Sequence, residues 1–506
     1  MKLRKLASNA AYLAMDSVSV TILSSFFWII SGKLLSSADL GVVSTALNFA
    51  SIIQFFSTLG MGVALSKLIS EYSGSGKESK ISKIITPAMK LLLVSNISLT
   101  ILIFIFAQNL SLVIKLTPQI ILVTAIIAVL LSFSNVAGYI IIGFQNMRKL
   151  MLTNLFYHLA KVAMSAIFVL LGFNFFGPLF GIMLGLLFLI TLRLDIFKNL
   201  KFNLKSQGNY QDIFRYSIPA LVGGIASLAF SNVPYITLTI IKDLSITGIF
   251  TPAMLLATPL FILPTSFTIA LFPIISGLSA GIRNSNEKAF LLKIVFRYTI
   301  LLTLPLAMVL IIFSDQIVLF LFKPEYLPAV ELLKILSVGA LLQGLSGIFL
   351  GTIYALKRPK VQQNILISNS LFFILLSLPL TYYLSATGMA IAYTIATFTL
   401  FILSYIYVKK MVTVNIPYLD IMKISIATIL IIGFITFFKP MLPTLISILL
   451  ILPSMVIYFV SLLYLNFYTQ LDLRLIEFLS AHTHKNFGMP LKLISYLIKR
   501  KIKTIS

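Results

Sequence analysis

Residues 119–149 read QIILVTAIIAVLLSFSNVAGYIIIGFQNMRK. The stretch 119–143 carries no charged side chain, and Arg148-Lys149 follow it directly. About 20 apolar residues suffice for a helix to cross a hydrocarbon core about 30 Å thick. Backbone amides in lipid must be satisfied within the chain, so an apolar run of this length reads as a helix. The stretch predicts one membrane-spanning helix with a basic loop at its end.

Outward from it, similar runs fall at about 10–31, 41–66, 84–107, 152–173, 175–193, 214–241, 246–276, 294–313, 332–356, 362–384, 387–408, 421–438 and 442–466. The expectation is an all-α, polytopic membrane protein with about 14 transmembrane helices. Composition agrees: hydrophobic residues make up 59% of the 506, charged residues 10%, and mean hydropathy is +1.04. A soluble domain carries about 25% charged residues. The first run, Ala10 to Ile30, is long enough to span and lacks a cleavage site, so no cleavable leader is expected.

The chain has no cysteine, which excludes disulfides, thiolate metal sites and cysteine nucleophiles. Of three histidines, His482 and His484 lie in the polar tail and read as solvated, so no metal centre is expected. No phosphate-binding glycine loop follows a strand, and no cofactor is expected.

The formal charge of +25 could suggest nucleic acid. Here the basic residues sit in short loops, which is a topology signal and points to no nucleic-acid partner. With the N-terminus placed inside, about 30 basic residues fall in inner loops and the tail. The outer loops hold Lys33, Lys115, Lys242, Lys323 and Lys439. The alternation predicts cytoplasmic N- and C-termini in a cell membrane. No outer loop is long enough for a catalytic domain.

The two halves resemble each other. Gly138…Met147-Arg148-Lys149 corresponds to Gly347…Leu356-Lys357-Arg358, an offset of 209 residues, and Gly177…Gly181 to Gly388…Ala392. Ala64-Leu65…Leu68-Ile69-Ser70 corresponds to Ala270-Leu271…Ile274-Ile275-Ser276. A duplicated unit of six helices is expected. Six is even, so the copies are parallel, related by a pseudo-two-fold axis along the membrane normal. The expected organisation is an N-terminal lobe over 1–205, a C-terminal lobe over 206–412, two further helices over 413–468, and a basic cytoplasmic tail over 469–506.

With Asp39-Leu40-Gly41, Gly60-Met61-Gly62-Val63-Ala64-Leu65…Ile69-Ser70-Glu71-Tyr72 and Gly143-Phe144-Gln145-Asn146, the chain resembles a known group. It is similar to the polysaccharide and O-antigen flippase branch of the multidrug/oligosaccharidyl-lipid/polysaccharide (MOP) exporter superfamily. The resemblance covers about 1–466. It implies a non-enzymatic flippase that works by alternating access around a central cavity, within membrane lipid, on a lipid-linked saccharide, with glycan-assembly enzymes as candidate partners. Multidrug extruders of the superfamily usually have twelve helices, and the two extra helices count against that branch.

An ionisable side chain inside the bilayer costs about 2.5–3.5 kcal/mol on insertion scales, so each needs a reason. Lys161 lies mid-span with His158 one turn earlier; the pair could line a cavity or join two helices. Arg297 and Lys334 could line it too, or reach toward the interfaces. Lys90 and Arg215, nearer the inner interface, could bind substrate or anchor the chain. Asp16 is the one comparable carboxylate, either an ion-coupling acid or a local cap. Pro234, Pro252, Pro259 and Pro264, with Pro219 and Pro273 nearby, are hinge candidates, because an interior proline removes a helix hydrogen bond. Asn48, Gln54 and Asn232 are expected to bond between helices, or else to touch substrate.

The excess of buried positive charge points to an anionic cargo. A polyprenyl-(pyro)phosphate-linked saccharide crossing to the outer leaflet, for cell-surface polysaccharide or glycan biosynthesis, fits, since an unpaired anion cannot be buried cheaply. A cation-coupled multidrug antiporter would need an essential carboxylate, for which Asp16 is the candidate. A membrane glycosyltransferase or polymerase would need a catalytic outer loop.

Overall fold

The computed structural model describes residues 2–76, 78–198, 210–262, 264, 285–412, 414, 416–443, 446–470, 472–473 and 499. The second-half motif at 270–276, Pro273, the centre of the inter-lobe segment, His482, His484 and nearly all of the basic tail lie outside them. Among the described residues all regular structure is helical, and 13 helices are long and apolar enough to cross a membrane. The chain is a multi-pass membrane protein.

In chain order the helices are α1 (Lys2–Leu34), α2 (Ser37–Thr58), α3 (Met61–Gly74), α4 (Glu78–Ile105), α5 (Ala107–Ile114), α6 (Pro118–Gly143), α7 (Met147–Phe168), α8 (Phe176–Arg193) and α9 (Asp195–Lys198). There follow α10 (Tyr210–Ile241), α11 (Leu244–Ala257), α12 (Ser285–Ile312), α13 (Ser314–Leu321), α14 (Ala329–Ala355), α15 (Pro359–Lys409), α16 (Tyr418–Phe438) and α17 (Ile451–Tyr464). The 51 residues of α15 would extend about 76 Å as one straight helix, far beyond a bilayer. Its backbone leaves helical geometry at Ser385, with φ 58° and ψ −137°. The break falls between the runs expected at 362–384 and 387–408, so one continuous element contains two spans. The run expected at 41–66 is two helices, because Leu59 (φ 48°) and Gly60 (φ 71°) are left-handed.

The surface is what lipid requires. Leu112, Phe104, Leu375 and Tyr383 stand exposed, whereas buried hydroxyls bond within their own helices: Ser57 to the Ile53 carbonyl (2.9 Å), Thr124 to Ile120 (2.7 Å) and Thr352 to Ile348 (2.8 Å). Asn48 and Asn232 also donate to carbonyls one turn earlier, Ser44 (2.8 Å) and Leu228 (3.3 Å). Those bonds are local, where the sequence suggested bonds between helices: a short amide side chain reaches its own preceding turn first.

By contacts the chain divides into two compact units. The first comprises Met1–Ala257, Leu321–Gly339 and Lys360–Leu400. Within it α2 crosses α11 at very short range. A Cβ on Gly41 would run into the Leu244 carbonyl, and one on Gly248 into the Ser37 carbonyl. Small residues let two backbones approach this closely in lipid. A hydroxyl pair bonds across the crossing, with Ser37 Oγ 3.0 Å from Ser245 Oγ. Thr239 at the end of α10 bridges the two helices, its Oγ1 2.7 Å from Thr45 Oγ1 of α2 and 2.8 Å from Thr247 Oγ1 of α11. Ser36 caps α2 by accepting from the Asp39 amide (3.2 Å), and its hydroxyl donates to the Asp39 carboxylate (2.8 Å). The Asp39-Leu40-Gly41 motif is thus a helix start followed by a close-contact point. Gly60 serves similarly, since a Cβ there would strike the Ser217 carbonyl of α10.

The second unit comprises Thr258–Phe320, Ala340–Pro359 and Phe401–Ser506. Its charged centre is Arg297 of α12. The guanidinium donates to both Asp472 oxygens (3.1 and 2.9 Å) and to the Phe467 carbonyl (2.7 Å), and its Nε lies 3.2 Å from Asp420 Oδ2. It also lies 4.1 Å from the Phe467 ring centroid. Burial alone would raise the Asp472 carboxyl. The Tyr298 hydroxyl, the Thr469 amide and hydroxyl, and Arg297 outweigh burial and hold it below its usual range. This clasp ties α12 to the start of α16 and the segment after α17.

Two outcomes follow. Because the chain lacks cysteine, a Ser37→Cys/Ser245→Cys double variant introduces one defined thiol pair. Mild oxidation is expected to join Cys-substituted α2 to α11, seen as a gel shift after cleavage of the intervening chain; absence of the bond would contradict the crossing. Asp472 has a depressed folded pKa, so its stabilisation is complete above about pH 4 and is lost as pH falls below that. Thermal unfolding should shift to lower temperature between about pH 5 and pH 3, and Asp472→Asn should flatten that dependence.

Candidate functional site

Asn154, Tyr157, His158 and Lys161 follow a spacing of 3, 1 and 3 residues, which puts all four on one face of α7. α1 presents Asp16, Ser24 and Phe27 to that face. Asn154 Nδ2 donates to Asp16 Oδ1 and Oδ2 (3.0 and 3.1 Å), Ser24 Oγ lies 3.4 Å from His158 Nδ1, and Lys161 Nζ lies 4.5 Å from the Phe27 ring centroid. Both series rise in residue number, so α1 and α7 run in the same direction. α8 closes on α7 through Gly181, packed on Ser165, and Gly185, packed on the Tyr157 ring.

Arg193, the last residue of α8, is 3% exposed. Its Nη1 donates to the Ser134 carbonyl (2.6 Å) and hydroxyl (3.3 Å), its Nη2 to Asn154 Oδ1 (2.7 Å) and its Nε to Thr153 Oγ1 (3.3 Å). The Asn154 orientation is forced by chemistry. A guanidinium only donates and a carboxylate only accepts, so the amide oxygen faces Arg193 and the NH2 faces Asp16. Asn154 thus relays between a buried cation and an acid. Gly138 of α6 leaves room for this guanidinium, since a Cβ would sit 3.2 Å from Arg193 Nη1.

A cavity of about 400 Å³ lies in this bundle, between α1, α6, α7 and α8. Asp16, Ser134, Asn135, Tyr139, His158 and Arg193 are among its walls.

Lys161 is 7% exposed. Among the described residues no carboxylate, carbonyl or hydroxyl meets its ammonium, which faces the rings of Phe27 and, at 5.8 Å, Tyr157. A cation–π contact returns about 0.5–2 kcal/mol, less than the cost of the charge.

The other residues singled out from sequence are dispersed. Lys90 of α4 is half-buried, and Arg215 of α10 and Lys334 of α14 are exposed. Arg297 belongs to the clasp in the second unit, its charge met by Asp472 and Asp420. Pro234 and Pro252 are buried inside α10 and α11, α11 breaks at Thr258 immediately before Pro259, and Pro264 is buried. Sequence reading missed Asn154, Tyr157 and Arg193. The α7 spacing is a signal for the first two; Arg193 ends an apolar run and so reads from sequence as one of the inner-loop cations.

Replacing Arg193 by Ala leaves Asn154 Oδ1 without a donor and Asp16 without its countercharge, and removes the second bond to the Ser134 carbonyl. A loss of about 3–5 kcal/mol is expected, the scale for breaking a buried charged network. Thermal unfolding in detergent should show a larger drop for Arg193→Ala than for Asp16→Asn, because Asp16 has one partner and Arg193 several.

Comparison with known proteins places the chain. The family described as polysaccharide biosynthesis protein matches residues 6–279, more than half of the length. An uncharacterized membrane protein of Methanocaldococcus jannaschii is 25% identical over 207 residues, a match that spans 40% of this chain and 40% of that relative. Among solved structures, the lipid II flippase MurJ in an inward closed conformation superposes with a TM-score of 0.71 at 18% identity, covering 88% of this chain and 97% of MurJ. An inward-facing multidrug resistance MATE family transporter of the MOP superfamily gives 0.67 at 14% identity, covering 80% and 98%. At these identities the likeness is one of fold. The chain belongs to the polysaccharide biosynthesis protein family and is built on the fold of the MOP-superfamily transporters.

Proposed function

We propose that this protein is a flippase, not an enzyme, that carries a polyprenyl-phosphate- or pyrophosphate-linked saccharide from the cytoplasmic to the outer leaflet by alternating access. The observation that carries this reading is Lys161: a buried ammonium with aromatic neighbours and no described anionic partner. The other deeply buried cations, Arg193 and Arg297, are already bonded to groups of the chain. A phosphate that arrives with the cargo supplies the missing countercharge, and a lysine presents a compact point charge to it. The family and the MurJ-like fold support a lipid-linked saccharide as that cargo. With N- and C-termini cytoplasmic, a negative interior favours outward movement of an anion, by about 2.3 kcal/mol per charge at 100 mV. The break of α11 at Thr258, beside Pro259, serves as a hinge in this scheme, with Pro234, Pro252 and Pro264 as further flexible points.

The antiporter reading needs Asp16 free to take a cation. Arg193, joined to Asp16 through Asn154, instead sets a fixed positive charge beside it that opposes a cation.

In proteoliposomes with a fluorescent polyprenyl-pyrophosphate saccharide, Lys161→Met is expected to slow translocation by about 10- to 100-fold, the loss of one charge-assisted contact. Lys161→Arg should keep part of the rate. Unchanged translocation in Lys161→Met would overturn the reading.

A further inference from the structure

The cavity in the first unit invites a second question, namely what part of the cargo it could hold. Its two formal charges cancel: Asp16 and Arg193 are joined through Asn154. A small cation entering it would meet the guanidinium, and an anion would meet the carboxylate. Neither sign of ion is favoured. What the walls offer is neutral hydrogen-bonding capacity. The Asn135 amide is exposed to the cavity, and among the described residues it and the phenols of Tyr139 and Tyr157 have no hydrogen-bond partner. His158 uses Nδ1 toward Ser24, which leaves Nε2 open. Each Asp16 oxygen accepts one bond from Asn154 and keeps a lone pair to spare. The aromatic surface is contiguous, with Tyr157 and His158 packed edge to face at 4.7 Å.

Donors, acceptors and aromatic faces in one charge-balanced space match a polyhydroxylated ring. Such a ring both donates and accepts at its hydroxyls and is apolar on its C–H face. The volume of about 400 Å³ equals roughly 13 waters at ~30 Å³ each, at the lower end of small-molecule sites. That admits a single sugar ring. Ile142 near the end of α6 and Leu150 near the start of α7 are among the walls, so the cavity reaches toward the end of the bundle that carries Arg148-Lys149, the side on which a cytoplasmic cargo would load.

We propose that this cavity is a saccharide subsite that takes one neutral pyranose ring, with Asn135, Tyr139 and the Asp16–Asn154 pair bonding its hydroxyls and Tyr157 and His158 facing its C–H surface. The proposal rests on the flippase reading for its biological cargo but not for its chemistry. Lys161, one turn deeper along α7, then meets the phosphate while the ring occupies the cavity.

The test uses the purified full-length protein in nanodiscs and a panel of neutral methyl glycosides, read by saturation-transfer difference NMR. At least one glycoside should receive saturation, and neither sodium chloride nor inorganic pyrophosphate should displace it. Asn135→Leu should weaken that signal by about fivefold or more, the effect of one hydrogen bond with a blocked wall. Tyr139→Phe, which removes only a hydroxyl, guards against misfolding and should weaken it in the same direction. No signal from any glycoside, signals unchanged in both variants, or displacement by sodium or pyrophosphate would each overturn the subsite. Translocation separates this from the parent reading. If lipid-linked saccharide crosses at an unchanged rate in both variants, the subsite is wrong and the flippase stands. If glycosides bind and are themselves taken up by proteoliposomes that move no lipid-linked saccharide, the subsite stands and the flippase reading fails.

Discussion

A polar side chain inside a bilayer has no water to fall back on, so its partner must come from the protein or from the cargo. That constraint orders the interior of this chain. Buried hydroxyls turn back to carbonyls of their own helices, as Ser57 and Thr124 do. Arg193 is saturated by Ser134, Thr153 and Asn154, and Arg297 by two carboxylates and a carbonyl. Against that background Lys161 is the departure: a buried charge that the described residues leave to aromatic faces alone.

The same constraint explains the close helix crossing. Apolar side chains gain nothing by leaving lipid for one another, so helices in lipid associate through close packing and hydrogen bonds. Gly41 and Gly248 bring two backbones together and let Ser37 bond Ser245 across the gap, while Thr239 of α10 links Thr45 and Thr247 beside it. The glycines of α8 do the same against α7, which fixes the face bearing Asn154, Tyr157, His158 and Lys161. Site and scaffold are therefore one piece of physics, with small residues on α8 setting how deeply Lys161 is buried.

Much of this was readable in the sequence. Uninterrupted apolar runs located the spans, and Lys161 and His158 stood out as ionisable side chains at mid-span. What sequence could not show was which cations find partners. Arg297 and Lys161 look alike as charges within apolar runs; only the fold brings Asp472, 175 residues later, to one of them. Arg193 was hidden for the opposite reason. At the end of a run it resembles an interfacial anchor, yet Gly138 and Ser134 of α6 enclose it. The break at Leu59 was likewise invisible inside the run 41–66, since leucine does not announce a left-handed backbone, whereas the break at Ser385 falls where two runs were already separated.

The central claim is that a phosphorylated cargo completes the charge of Lys161. The direct measurement is binding, by native mass spectrometry, of a short-chain prenyl pyrophosphate saccharide and of the same saccharide on the matching neutral prenyl alcohol. The account predicts that the pyrophosphate form binds at least about tenfold more tightly, and that the advantage disappears when Lys161 is replaced by Met. Equal binding of the two forms, or an advantage that survives the replacement, would contradict it.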